Sequence, residues 1–209
     1  MAQLTLRAMT LGGGGTNCYL VQNTETGDTV IVDPADEAER IIAEIRKTDG
    51  KPAAILLTHG HYDHIMAVNA LKEEYQIPVY IDRADEKLLG DPKLNLSGLW
   101  YIPYTCSADQ LVQEGDELEL AGTVFRVLHT PGHTAGSCCY YLPAEHVLFS
   151  GDTLFAMSCG RTDLPTGSMR EMRASLKRLF LELPEDTAVY PGHMNSTTIA
   201  AEKRYNPFA

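Results

Sequence analysis

The chain has 209 residues and a mass of 23.0 kDa, enough to bury most of its apolar surface unaided as one domain over residues 1–209. Hydrophobic residues make up 44% and charged residues 22%, close to the globular average, which excludes disordered, collagen-like and coiled-coil classes. A formal charge of −11 with no run of Lys or Arg repels phosphate backbones and anionic bilayers, so neither nucleic acid nor membrane is expected as a partner.

In chain order, short apolar and β-branched runs punctuated by Gly or Pro predict strands at Leu4 to Met9, Asn17 to Gln22 and Thr29 to Val32. Asp36 to Thr48 begins acidic, ends basic and repeats Ile41, Ile42 and Ile45 on one face, so it reads as an amphipathic helix. A strand at Ala53 to Leu57, a helix from about Ile65 to Tyr75 and a strand at Pro78 to Ile81 follow. Asp91 to Gln113 has no period and holds Trp100, Tyr101 and Tyr104 among turn residues, the kind of long irregular segment that often carries function. Strands are then predicted at Glu117 to Leu120, Thr123 to Leu128, Ser137 to Leu142 and Val147 to Ser150. A helix over Ser168 to Leu183, a strand at Ala188 to Tyr190 and a helix near Thr197 to Tyr205 complete the chain. Strands and helices interleave, so helices should cover a central sheet layer.

Five scattered cysteines without a C-x-x-C read as reduced, mostly buried thiols. The N-terminus lacks a basic head followed by an apolar stretch, and no window approaches the roughly 20 apolar residues of a membrane span. A cytoplasmic location is expected. Nothing in the sequence sets an oligomeric state.

Four apolar runs end in the same way: AAILLT into HGHYDH, FRVLHT into PGH, HVLFS into GD, and AVYPG into H. Each predicted strand thus delivers a polar side chain at its carboxyl end, where sites form in α/β sheets. The converging set is His59, His61, Asp63, His64, His133, Asp152 and His193. Singly, a His in a Pro-Gly turn or an Asp after Gly is ordinary turn chemistry. Four such residues between positions 59 and 64 are not. His146 precedes its strand and is expected to bind nothing. Asp33, ending TVIVDP at the same sheet end, either orients a ligand imidazole or serves the turn. Cys159 reads as a packed thiol.

These motifs, His59-x-His61-x-Asp63-His64, HTPGHTAGS around His133, GDTLF around Asp152 and PGH ending at His193, resemble the metallo-β-lactamase fold superfamily over nearly the whole chain. The resemblance implies an α/β four-layer αβ/βα sandwich, two mixed sheets with helices on both outer faces and a binuclear site between them. It implies one metal held by His59, His61 and His133, a second by Asp63, His64 and His193, and Asp152 bridging both. Imidazoles and carboxylates suit two Zn²⁺, with iron or manganese able to replace either. Under this resemblance Asp63 and Asp152 are the expected carboxylates of the catalytic centre. They partly neutralise the pair, and water ionised between metals about 3.5 to 4 Å apart is the nucleophile rather than any side chain.

The aspartate of GDTLF departs from true β-lactamases, whose second site usually has Cys there. GDTLFAMSCGRTDLPTGS and the ending TTIAAEKRYNPFA are similar to the glyoxalase II branch (hydroxyacylglutathione hydrolases) in its short bacterial form, which implies hydrolysis of hydroxyacylglutathione-type thioesters. Two departures stand out. Only 16 residues follow His193, where full-length members carry a helical glutathione-gripping domain. Arg161 falls where the family places a base against glutathione, but accompanying aromatic positions are Asp163 and Asn195. Arg161 and Asn195 are the expected substrate contacts, with Trp100, Tyr101 and Tyr104 either a replacement wall, ordinary packing or a subunit contact. The GRTD string is shared with the persulfide dioxygenases of the superfamily, under which His59, His133 and Asp152 would hold one Fe²⁺. A non-catalytic metal-binding protein is the third reading.

Overall fold

The computed structural model describes residues 3–100 and 102–208, with Trp100 described by its backbone alone. The first sheet begins as the expected meander, β1 (Leu4–Leu11), β2 (Thr16–Asn23) and β3 (Asp28–Val32), antiparallel in the register Leu4↔Asn23 and Tyr19↔Val32. Helix α1 (Ala38–Lys47) then carries the chain to β4 (Lys51–Leu56), parallel to β3. Helices α2 (Tyr62–Ile65) and α3 (Val68–Tyr75) lead to β5 (Val79–Asp82), and α4 (Glu86–Gly90) to β6 (Gln110–Val112), both strands again parallel. The sheet order is β1-β2-β3-β4-β5-β6.

The second sheet is built from β7 (Glu117–Leu120), β8 (Thr123–His129), β9 (Cys138–Leu142) and β10 (Val147–Gly151). A small hairpin of β11 (Leu154–Phe155) and β12 (Ser158–Cys159) and helix α5 (Met169–Glu182) precede β13 (Ala188–Pro191), β14 (Thr197–Thr198) and α6 (Ile199–Tyr205). The order is β14-β13-β10-β9-β8-β7, with β13 parallel to β10.

Strand periodicity explains the layering. Side chains alternate between faces, and both faces of each central strand are buried, so the strands read as unbroken apolar runs. On β4 and just beyond, Ile55 and Leu57 pack outward with Ile41, Ile45, Val68 and Leu71 of α1 and α3, while Leu56 points inward. On β9, Cys138 and Tyr140 face the first sheet, and Cys139 and Tyr141 face Leu176 and Leu179 of α5. The inter-sheet layer is Tyr19, Val30, Val32 and Leu56 against Phe125, Val127, Tyr140 and Phe149. Each such side chain contributes about 1.5–3 kcal/mol of burial. The result is the expected αβ/βα sandwich. Among the described residues, no helix is long and apolar enough to cross a membrane. All five cysteines are free, and the adjacent Cys138 and Cys139 pack into different layers.

Two expectations need correction. The helix anticipated from Ile65 to Tyr75 is two helices, because the Met66 and Ala67 N–H groups donate outside it, to Ala35 O (3.0 Å) and Pro34 O (3.1 Å). Asp63 and His64 therefore sit on a separate short helix. The segment from Asp91 to Gln113 ends in a real strand, β6, which at three residues is too short to show alternation.

At the far ends of β5 and β8 the sheets are tied by His129, whose Nδ1 lies 2.9 Å from Oδ2 of the buried Asp82. That hydrogen bond raises the His129 pKa above the ordinary imidazole value, with burial opposing. A raised folded-state pKa stabilises below the unfolded value, about 6.5, and the gain is lost as pH rises through the folded value. The stability advantage of the native chain over His129→Asn should therefore be full near about pH 5.5 and shrink towards about pH 9, as measured by urea unfolding.

Candidate metal centre

Five strand ends meet at one edge of the sandwich. β3 delivers Asp33, β4 delivers Thr58 and His59, the loop after β8 carries His133, β10 runs into Asp152, and β13 runs into Gly192 and His193. Bonds between the sheets fix this edge: Cys138 N donates to Thr58 O (2.9 Å), and the Tyr140 hydroxyl donates to Leu57 O (3.0 Å). From β2, Asn17 N donates to Gly192 O (2.7 Å), while its side chain donates to Pro191 O (3.1 Å) and Met194 O (2.9 Å). The turn before His193 is thereby pinned to the opposite sheet.

The seven side chains named from sequence lie together. His59, His61 and His133 each bring one ligand atom within 4.8 Å of the others; so do Asp63, His64 and His193, and so do His59, His64 and Asp152. Asp152 faces both groups: its Oδ1 is 3.4 Å from His64 Nε2, and its Oδ2 is 3.5 Å from His133 Nε2 and 3.6 Å from His193 Nε2. Asp63 Oδ2 is 3.2 Å from His193 Nε2 and accepts from the Thr16 hydroxyl (3.0 Å).

Two buried carboxylates outside this set hold the loops. Asp33 accepts from Thr58 N (2.8 Å) and Thr58 Oγ1 (2.7 Å) and lies 2.9 Å from His64 Nδ1. Asp85 accepts from Gly60 N (3.0 Å), Thr134 Oγ1 (2.7 Å) and Gly136 N (2.7 Å), joining the His59 loop to the His133 loop. Burial raises the Asp85 pKa above the ordinary carboxylate value, against those three donors. The sequence around Asp85, DRADE, carries no signal of this role.

The donor set fits a cation. Among the described residues, the buried Nε2 atoms of His59, His61 and His64 and Oδ1 of Asp152 have no hydrogen-bond partner. Such groups are costly to bury unless something satisfies them, about 1–3 kcal/mol each. The Arg161 carbonyl can only accept, so His133 Nδ1, 2.7 Å away, carries the proton and leaves the Nε2 lone pair facing the cluster. Burial, reinforced by neighbouring imidazoles, holds His59 well below the ordinary imidazole value and His61 down to about 3. Both imidazoles are neutral at pH 7. Burial alone would raise Asp63 and Asp152, but the imidazoles around them, His64 foremost, hold both below the ordinary carboxylate value. His64, where burial is outweighed by Asp63, Asp152 and Asp33, is raised well above.

Gly192 is required by this crowding. A Cβ there would strike Asp152 Oδ1 and His64 Cε1.

The sequence model of the metallo-beta-lactamase superfamily matches residues 11–193. The chain belongs to that superfamily. It is 37% identical over 204 residues to the probable metallo-hydrolase YqgX of Bacillus subtilis, covering 97% of this chain and 96% of that one. It is 36% identical over 195 residues to hydroxyacylglutathione hydrolase GloC of Haemophilus influenzae, covering 92% of each. Among solved structures, BLEG-1 B3 metallo-beta-lactamase matches with a TM-score of 0.93 at 42% identity, over 98% of this chain and 99% of that one. TTHA1623 in a di-iron-bound form matches at 0.87 and 41%, over 97% and 100%. ETHE1 from Myxococcus xanthus matches at 0.82 and 33%, over 97% and 83%. As a superfamily member, the chain carries a metal-binding His/Asp site.

In this superfamily member the cluster floors a cleft of about 500 Å³ that also includes Tyr62, Leu96, Leu99, Phe155, Arg161, Leu164 and Met194. Arg161 lines it, but its exposed guanidinium is held by Asp163 through Nε (2.7 Å) and Nη2 (2.9 Å). Asn195 is exposed and is not among the lining residues, where Met194 stands instead. Of the three aromatic residues weighed as a wall, Tyr101 and the Trp100 side chain lie outside the described residues. Tyr104 packs against the outer helix layer, its hydroxyl accepting from Asn69 N (3.0 Å), because the segment folds its aromatic ring away from the cleft. Leu96 and Leu99 supply the wall. Cys159 is half-buried against the α5 layer, and burial pushes its thiol up. His146, at the opposite end of β10 from Asp152, lies 2.9 Å from Asp186 Oδ2.

Two substitutions test this geometry. Asp33→Asn should lower metal affinity about 10- to 100-fold in chelator competition, whereas an affinity equal to the native value would remove Asp33 from orienting His64. Gly192→Ala should leave the circular dichroism spectrum native while metal content falls, since the added methyl displaces Asp152 and His64.

Proposed function

We propose that this chain is a glyoxalase II-like thioesterase that hydrolyses hydroxyacyl thioesters at a pair of divalent cations, zinc in each position. The observation that carries the reading is the pair of three-residue groups joined through Asp152, buried at the floor of an open cleft. His59, His61 and His133 would hold one cation, Asp63, His64 and His193 the other, and Asp152 both. When bound, such a pair ionises water near neutral pH and polarises an acyl carbonyl.

The chain's own residues set the conditions for that chemistry. Asp33 and the Arg161 carbonyl fix the ring protons of His64 and His133 on Nδ1, so their Nε2 atoms face the cluster. Asp63 and Asp152 stay ionised in this setting and limit the charge of the site. Thr16 holds the Asp63 carboxylate in place. The buried floor keeps bulk water from screening these charges, while the cleft admits a small molecule.

Similarity to GloC supports the thioester, and the presence of both ligand groups favours two cations over the single iron of the dioxygenase reading. Similarity to BLEG-1 B3 metallo-beta-lactamase makes a β-lactam the necessary comparison substrate, and similarity to di-iron-bound TTHA1623 makes iron the necessary comparison metal.

Metal analysis of the protein as isolated should give about two equivalents, mainly zinc, together with hydrolysis of lactoylglutathione exceeding that of a β-lactam. Asp152→Ala should abolish turnover and lower metal content; His146→Ala should change neither. One iron per chain with oxygen uptake on glutathione persulfide would replace the reading with the dioxygenase, and full metal loading with no turnover would leave a binding protein.

A further inference from the structure

Above the cluster the cleft changes character. Apart from the histidines and aspartates, its walls are Tyr62, Leu96, Leu99, Phe155, Leu164 and Met194, with Arg161 the one further charged residue. Leu99 and Met194 are 69% and 60% exposed and both line the cleft, so apolar surface meets solvent at the mouth of a site, where such surface marks binding.

This rim is built rather than incidental. Leu96 and Met194 have φ of +70° and +69°, a left-handed backbone that side chains larger than glycine adopt at a cost and that collects at ligand sites. Neighbouring bonds enforce both. Tyr62 N donates to Asn95 O (2.8 Å), Ser97 N donates to Asn95 Oδ1 (2.9 Å), and Asn17 Nδ2 donates to Met194 O (2.9 Å). Among the described residues lining the cleft, Arg161 is the one Lys or Arg, and its guanidinium is already paired in bidentate fashion with Asp163. Glutathione carries two carboxylates. No side-chain cation of the wall stands ready for them, and the chain carries a formal charge of −11.

The acyl carbonyl of a thioester has to reach the floor. A small hydroxyacyl group is accommodated there, so the thiol half extends along the walls to the rim. Resting on the thioesterase reading above, we propose that Leu96, Leu99, Leu164 and Met194 select thioesters whose thiol half is uncharged and apolar, an alkyl or aryl thiol, over the anionic tripeptide. Apolar contact area on the carrier lowers KM, and carboxylates on the carrier raise it.

The test uses the metal-loaded full chain and two substrates with the same lactoyl group, one on glutathione and one on benzyl mercaptan. The benzyl thioester should have the higher kcat/KM by at least about tenfold, with the difference in KM. The double variant Leu99→Ser, Met194→Ser should raise KM for the benzyl thioester about tenfold and for the glutathione thioester far less. Asp163→Asn releases Arg161 and should lower KM for the glutathione thioester roughly two- to fivefold. A non-hydrolysable benzyl thioether, measured by calorimetry, should lose affinity in the double variant, a readout independent of turnover. A preference for glutathione, or equal KM changes for both carriers in the double variant, overturns the proposal. If neither thioester is cleaved while the thioether binds in a Leu99- and Met194-dependent way, the hydrolase reading fails and the apolar selectivity stands.

Discussion

A concentration of buried polar atoms without hydrogen-bond partners governs this molecule. Among the described residues, Nε2 of His59, His61 and His64 and Oδ1 of Asp152 are buried without a hydrogen-bond partner, and His61 Nδ1 lies 2.8 Å from His133 Nε2. Donor groups are not at hand to satisfy these atoms, because the remaining ring nitrogens of His59, His64 and His133 already face Thr58, Asp33 and the Arg161 carbonyl. A bound cation would satisfy such atoms. Metal binding and the stability of this edge are therefore one free energy, and ligand protonation opposes both.

Such crowding persists only if the surrounding chain leaves no easier arrangement. The apolar sandwich presses the strand ends together, and Tyr140 and Cys138 bond across the sheets within two residues of His59. Asp33 and Asp85 then act as paired brackets: one fixes Thr58 and His64 on the first sheet, the other ties Gly60 to Thr134 and Gly136 on the second. Gly160 and Gly192 complete the enclosure, since a side chain at either would enter space held by Asp152. The site is stiff because its supports are buried hydrogen bonds to charged groups, the stronger kind. The cleft above it is a different material, apolar and open, positioned by loops in strained backbone conformations.

The candidate residues could be read from sequence because four apolar runs each end in one or more of them, so strand and polar residue announce each other: LLT before His59, HVLFSG before Asp152, AVYPG before His193. Their assembly into two groups sharing Asp152 follows once those strands lie in two facing sheets. Other features left no trace. Asp85 lies in a short helical stretch whose letters resemble any solvated turn, yet it is fully buried. β6 was hidden in an irregular segment because three residues cannot display a period. The break between α2 and α3 is caused by Ala35 and Pro34 carbonyls some thirty positions earlier in the chain, a competition that no local pattern encodes. For Tyr104 the sequence left a wall and ordinary packing both open, and in space it belongs to the outer helix layer.

By itself the sequence determined the layered α/β class, most strand positions, the superfamily resemblance and the seven candidate ligands, because periodicity and strand-end placement are local properties. Only tertiary structure decided that Arg161 is closed by Asp163, that Met194 rather than Asn195 faces the cleft, and that Leu96 and Leu99 rather than Tyr104 form its wall. These are matters of side-chain direction in loops without a repeating pattern. There the outcome is set by which distant backbone groups are free to accept a hydrogen bond and which apolar surface remains uncovered.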